Sequence, residues 1–185
     1  MFERFKRNRE RRRANAAIVD ALFGSIASAA RQPLHYTRHG LPDTIMGRFE
    51  MMTLHMWLFQ HRAKGSSAAV EALAQDVVDV FFREVDHTLR EIGIGDTSVP
   101  KRMKKLARMV YGRWEAYGGA LAASDIEAMT DAVLRNVFSE GGDATCARTL
   151  AEYAFAVAER LGRQPDEALL GGRVEFPVAP AAAAA

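Results

Sequence analysis

The five histidines hold most of the ligand-forming capacity of this 185-residue chain, and their spacing argues against a metal centre. His35 and His39 stand four apart, the separation that places two imidazoles on one helical face. Gly40 and the nearby prolines, Pro33 and Pro42, interrupt any such helix. His55 and His61 are six apart, on opposite sides of a helix, and His87 stands alone. No Cys pair, HExxH or acidic loop completes a site. These are read as structural or surface histidines, with no metal expected. The single Cys146 lacks a disulfide partner, fits a reducing compartment and has no neighbour that would activate it. It reads as a small apolar residue inside a helix. "GIGDTS" has neither nucleotide-loop spacing, GxSxG is missing, and Asp76 and Asp79 read as a solvated helical face. No catalytic constellation and no cofactor site emerge, so a non-enzyme is expected.

The residues with unexplained chemistry are cations. "SVPKRMKKLARMVYGRW" begins a helix at about residue 99, and its first turn holds Lys101 and Arg102, with Lys104 and Lys105 close behind. A helix N-terminus carries partial positive charge, so each early cation costs a few tenths to about 1 kcal/mol. At about 100° per residue, Lys101, Lys104, Lys105 and Arg108 fall in one arc. Met103, Leu106, Ala107, Val110, Trp114, Tyr117 and Leu121 fall in the opposite one. An inert solvated face and a docking face both fit this stripe. The next helix opens "SDIE", an acidic capping-box pattern with Ser124 as the cap, so the departure is specific to the cationic helix.

Several other elements must position that stripe. Val19, Phe23, Ile26 and Ala30 define a first helix over 14–31. Asp43 or Thr44 caps a second that runs to about Lys64, apolar round most of its girth through Ile45, Phe49, Met52, Met56 and Phe59. A third covers about 68–92, with Gly93 as its left-handed stop. The cationic fourth runs to about 122, the fifth carries Ile126, Met129, Val133 and Val137, and Asp143 caps a sixth that closes at Gly162. A short turn near 165–170 and an extended "RVEFPV" follow.

This pattern, 49% hydrophobic and 26% charged, describes a single compact all-α domain of about six principal helices. It spans 14–178, between a basic arm at 1–13 and an Ala/Pro-rich tail at 179–185. The arm holds seven basic and two acidic residues, leaving 18 basic and 21 acidic elsewhere, so the net +2 hides a cationic end on a mildly acidic body. Phe2 and Phe5 then read either as apolar anchors among the cations or as part of a frayed, solvated terminus. No window approaches the length of a membrane span, and the arm lacks the apolar segment of a secretory signal. Helix-turn-helix, RRM and zinc-finger patterns are absent, which argues against DNA.

"RQPLHY", "GLPDTIMGRFEMMTLHMWL" and "EIGIGDTSVPKRMKKLARMVYGR", in that order, strongly resemble the ubiquinol–cytochrome c chaperone family over most of residues 17–178. The resemblance looks closest to bacterial members, which have no long organellar leader. It implies an α-helical, non-catalytic assembly factor for the cytochrome bc1 complex. The partners it implies are newly made cytochrome b or its nascent chain, the ribosome near its tunnel exit and a small companion subunit. Its motifs fall on Gly47, Arg48, Phe49 and Glu50, on Leu54 and His55, and on Val99, Pro100, Lys101 and Arg102. A last one falls on Tyr111, Gly112 and Arg113.

Lys101, Arg102, Lys104, Lys105, Arg108, Arg113, Arg48, Glu50 and His55 are accordingly the expected partner-binding residues. Gly47 would admit another backbone, and Arg48 with Glu50 would form a polar network there. Met51, Met52 and Met56 offer adaptable thioethers for an apolar client, with core packing the competing use. The expected location is cytoplasmic, peripheral at the inner face of the inner membrane through an anionic surface. The rival classes are an RNA- or anionic-membrane-binding accessory protein and a lipid-handling enzyme.

Overall fold

The computed structural model describes residues 2–91, 98–139, 141 and 143–177, with side chains from Asn15 onward. Its helices are α1 (Phe2–Ala30), α2 (Pro33–Thr37), α3 (Ile45–Ala63), α4 (Ala68–Glu91), α5 (Val99–Ala122), α6 (Ile126–Val137), α7 (Ala144–Gly162) and α8 (Asp166–Leu170). The six principal helices read from the sequence are α1 and α3 to α7, while α2 and α8 are single turns. Among the described residues no strand forms, and no helix is long and apolar enough to cross a membrane.

α3 is the axis of the bundle. Eleven of its nineteen residues are buried, so it is covered on most sides, by α1, α4, α5, α6 and α7. Thr44 caps it, its hydroxyl accepting from the Gly47 N–H at 3.0 Å. A Cβ on Gly47 would lie 2.1 Å from the Pro42 carbonyl oxygen, so the close approach expected there is made by the helix's own entry loop. Met51 and Met56 are fully buried and Met52 packs half-buried against the core. Of the two uses open to these methionines, core packing is the one the structure shows.

Two helix starts differ from the sequence reading. α1 begins at Phe2, twelve residues before its expected start. Arg, Lys, Glu and Ala all favour helix, and apolar periodicity reports burial rather than helicity. α6 is capped by Asp125, whose carboxylate accepts from the Ala128 N–H at 2.9 Å. Ser124 instead takes a left-handed conformation, φ 53°, in the turn from α5. Asp143 caps α7 as expected, through the Thr145 N–H at 2.9 Å. Gly93 and the 179–185 tail lie outside the described residues.

Helices α4 and α5 pair as a hairpin whose distal half loses its cover. The buried residues of α4 end at Phe81, and between Val99 and Val110 nothing on α5 is fully buried. Leu89, Met103 and Leu106 are half-buried. After α8 the chain runs extended across the bundle. The Gln164 amide clamps Glu175 by two hydrogen bonds of 2.7 and 3.0 Å, Val174 is buried, and the Phe176 ring lies 5.3 Å from that of His55. Arg62 ties α3 to α8 through Asp166 at 2.7 Å.

Candidate partner-binding site

On α5, Lys101, Arg102, Lys104, Lys105 and Arg108 are all exposed, and none makes an ion pair with another described residue. Ser98 precedes the helix without forming a side-chain cap, Pro100 occupies its second position, and its first turn holds no acid. The start of α5 therefore lacks both usual sources of N-terminal stabilisation and adds cations against the dipole. These groups stay available to an anion from outside.

The remaining predicted site residues sit elsewhere. Arg48 is exposed and bonded to Asp43 at 2.7 Å, an interaction that raises its pKa. The network anticipated between Arg48 and Glu50 does not form. Glu50 is buried and pairs with Arg113 of α5 at 2.5 Å. Burial raises the Glu50 carboxyl, while the Arg113 guanidinium pulls against it. Glu50 Oε2, Arg113 Nε, Thr53 Oγ1 and the Tyr117 hydroxyl have no hydrogen-bond partner among the described residues. Thr53 lies one turn along α3 from Glu50, and Tyr117 one turn along α5 from Arg113, so the four groups straddle one helix–helix contact. Such an incompletely paired cluster costs stability rather than adding it.

His55 is fully buried, its ring 5.3 Å from that of His35, which in turn lies 5.3 Å from that of His39. The one-turn helix α2 places His35 with its Nδ1 3.2 Å from that of His39, despite the prolines and Gly40 around them. The two share no helical face, as expected, because α2 ends at Thr37; the rings meet across the turn that follows it. Tautomers follow from the partners. His35 Nε2–H donates to the Ala29 carbonyl at 2.9 Å, so its Nδ1 accepts from His39. His55 Nδ1–H donates to the Met51 carbonyl at 2.9 Å, so its Nε2 accepts from the Tyr153 hydroxyl at 2.8 Å. Burial lowers the His35 pKa and takes His39 to about 4 and His55 to about 3. All three are neutral core groups at pH 7. No group of three His, Cys, Asp or Glu side chains among the described residues is placed to hold a metal ion. The Cys146 thiol is half-buried on α7 and packs over Gly40, where a Cβ would come within 2.6 Å of the sulfur.

The cations continue into a feature the sequence reading missed. Where α3, α4 and α5 meet, a cavity of about 430 Å³ is lined by Trp57, His61, Lys64, Glu71, Tyr111 and Trp114, among others. Tyr111 is 52% exposed and meets the Trp114 ring edge-on at 5.5 Å. The Trp114 indole N–H donates to the Thr53 carbonyl at 3.1 Å, which fixes the ring against α3. The signal for this cleft was Tyr111 beside the cationic arc, but its walls come from three separate segments.

The described residues thus form an all-α bundle with an exposed cationic helix face beside an aromatic cleft. The chain belongs to the ubiquinol–cytochrome C chaperone family, whose model matches residues 37–176. A crystal structure of the Cbp3 homolog from Brucella abortus matches it with a TM-score of 0.85 and 45% identity, covering 96% of this chain and 97% of that one. No protein of curated function matches the chain.

Proposed function

We propose that this chain is a non-catalytic assembly chaperone for the cytochrome bc1 complex that binds newly made cytochrome b and docks through the outer face of α5. Family membership supports the chaperone role. The observation that carries the docking face is the exposed row Lys101, Arg102, Lys104, Lys105 and Arg108, unpaired among the described residues at a helix start that disfavours cations. Arg113 and Glu50 serve this face from below, because their buried pair fixes α5 against α3. Through that row the complex is held peripherally at the inner face of the inner membrane, on the ribosome or on anionic lipid, with a small companion subunit as a further partner. Each basic side chain contributes about 1 kcal/mol near an anionic membrane, so the four on one arc, Lys101, Lys104, Lys105 and Arg108, give reversible attachment.

Deleting the gene from its host tests the assembly role, with bc1 complex content and haem b as readouts. Loss of both is expected, and unchanged assembly would overturn the proposal. Docking is tested separately by binding to anionic vesicles and to ribosomes across a salt series. The affinity should fall steeply with salt and be weakened by neutralising Lys101, Lys104, Lys105 and Arg108.

A further inference from the structure

We infer that the cleft between α3, α4 and α5 is an anchor pocket for a protein partner, taking one large apolar side chain from a helical segment whose acidic residues lie along the α5 cations. The inference rests on the docking role of α5 and adds the class of partner. Three observations carry it. The cleft is concave, and about 430 Å³ holds a bulky side chain or two, whereas a flat bilayer surface cannot enter it. Its walls mix the rings of Trp57, Tyr111 and Trp114 with the polar groups of His61, Lys64 and Glu71. Aromatic walls with polar rims suit a peptide, which brings both an apolar anchor and a backbone to satisfy. Finally, exposed cations without an ion pair among the described residues flank the cleft. Lys104 and Arg108 of α5 lie before Tyr111 and Lys64 lies in the lining, against the single lining carboxylate of Glu71, which accepts from the Gly65 N–H at 3.0 Å.

Helix geometry sets the pattern of the partner. Arg108 lies one turn and Lys104 two turns before Tyr111 on the same side of α5, roughly 5 and 10 Å along the axis. A partner helix seating a Leu or Phe against Tyr111 therefore meets those cations with acids three or four and seven positions away. Glu115, one turn beyond Tyr111, repels the reverse orientation, so the acidic end is directed toward the start of α5.

The protein supplies its own reporter, since its two tryptophans, Trp57 and Trp114, both line the cleft. The test titrates the full chain with a synthetic alanine-based helical peptide carrying one central Phe and Glu at the third and seventh positions from it. Tryptophan emission and peptide anisotropy are followed, with a Gln-for-Glu peptide and phosphatidylglycerol vesicles as the other arms. The Glu peptide should shift the emission and bind at least roughly tenfold tighter than the Gln peptide. Tyr111→Ala, shown by circular dichroism to keep its helicity, should lose about tenfold in affinity. Lys104→Glu with Arg108→Glu should lose binding to the Glu peptide and gain it for a Lys-substituted one. Saturable vesicle binding with no emission change, alongside no peptide binding, would overturn the inference in favour of a lipid surface. Full affinity in Tyr111→Ala would overturn it as well. Cleft binding that survives a normal bc1 complex in the deletion strain would remove the assembly role and leave the pocket standing.

Discussion

At the scale of single residues, the interior of this protein is stabilised by neutral polar pairs and strained by one charged pair. The Tyr153 hydroxyl is the donor to His55 Nε2, so Tyr153→Phe leaves a buried acceptor unpaired. The expected cost is about 1–2 kcal/mol, read by urea unfolding. The Glu50–Arg113 pair behaves differently. Arg113→Met leaves the buried Glu50 carboxyl without its partner, so that it takes a proton at a cost of about 1–3 kcal/mol, whereas adding Glu50→Met to that variant should recover most of the loss. A double variant no more stable than Arg113→Met would show that the pair contributes through packing alone. None of these partnerships was legible in the sequence, because Glu50 lies 63 residues from Arg113 and His55 lies 98 from Tyr153. Local spacing carries no information about such distances.

At the scale of elements, the sequence was informative wherever a local rule acts. Thr44 and Asp143 mark helix starts because a side-chain oxygen must satisfy nearby N–H groups, and the apolar periods of α4 to α7 follow from one-sided burial. The first helix was underestimated because its charged beginning shows no apolar period. The α6 cap slipped by one residue because Ser124 and Asp125 are both good caps, and the turn from α5 decides between them. The cationic face of α5 was fully legible, since exposure on one helix is a local property. It also yields a prediction with opposite signs. Replacing Lys101 and Arg102 by Glu should stabilise α5 by about 0.3–1 kcal/mol per site through the dipole, while weakening docking. Thermal unfolding and vesicle or ribosome binding read the two effects, and destabilisation would argue that these cations serve the fold.

For the whole molecule, acid is the predicted weakness. His35, His39 and His55 keep depressed pKa values when folded but return to about 6.5 on unfolding. The unfolded chain therefore binds more protons as pH falls, and stability drops from about pH 6.5 towards the folded values near 4 and 3. Between pH 6.5 and 5 the histidines alone should lose on the order of 3–5 kcal/mol. Glu50, raised by burial to about 7, is protonated first in the folded state and offsets about 1–2 kcal/mol of this, so the net loss by urea unfolding should be roughly 2–3 kcal/mol. The same fold that hides these histidines leaves the α5 cations exposed. The most direct test places a chain carrying Lys101→Glu, Lys104→Glu, Lys105→Glu and Arg108→Glu into a strain lacking the gene, at wild-type abundance, and measures assembled bc1 complex. Failure to restore the complex, where the wild-type chain succeeds, is the predicted result; full restoration would contradict the account.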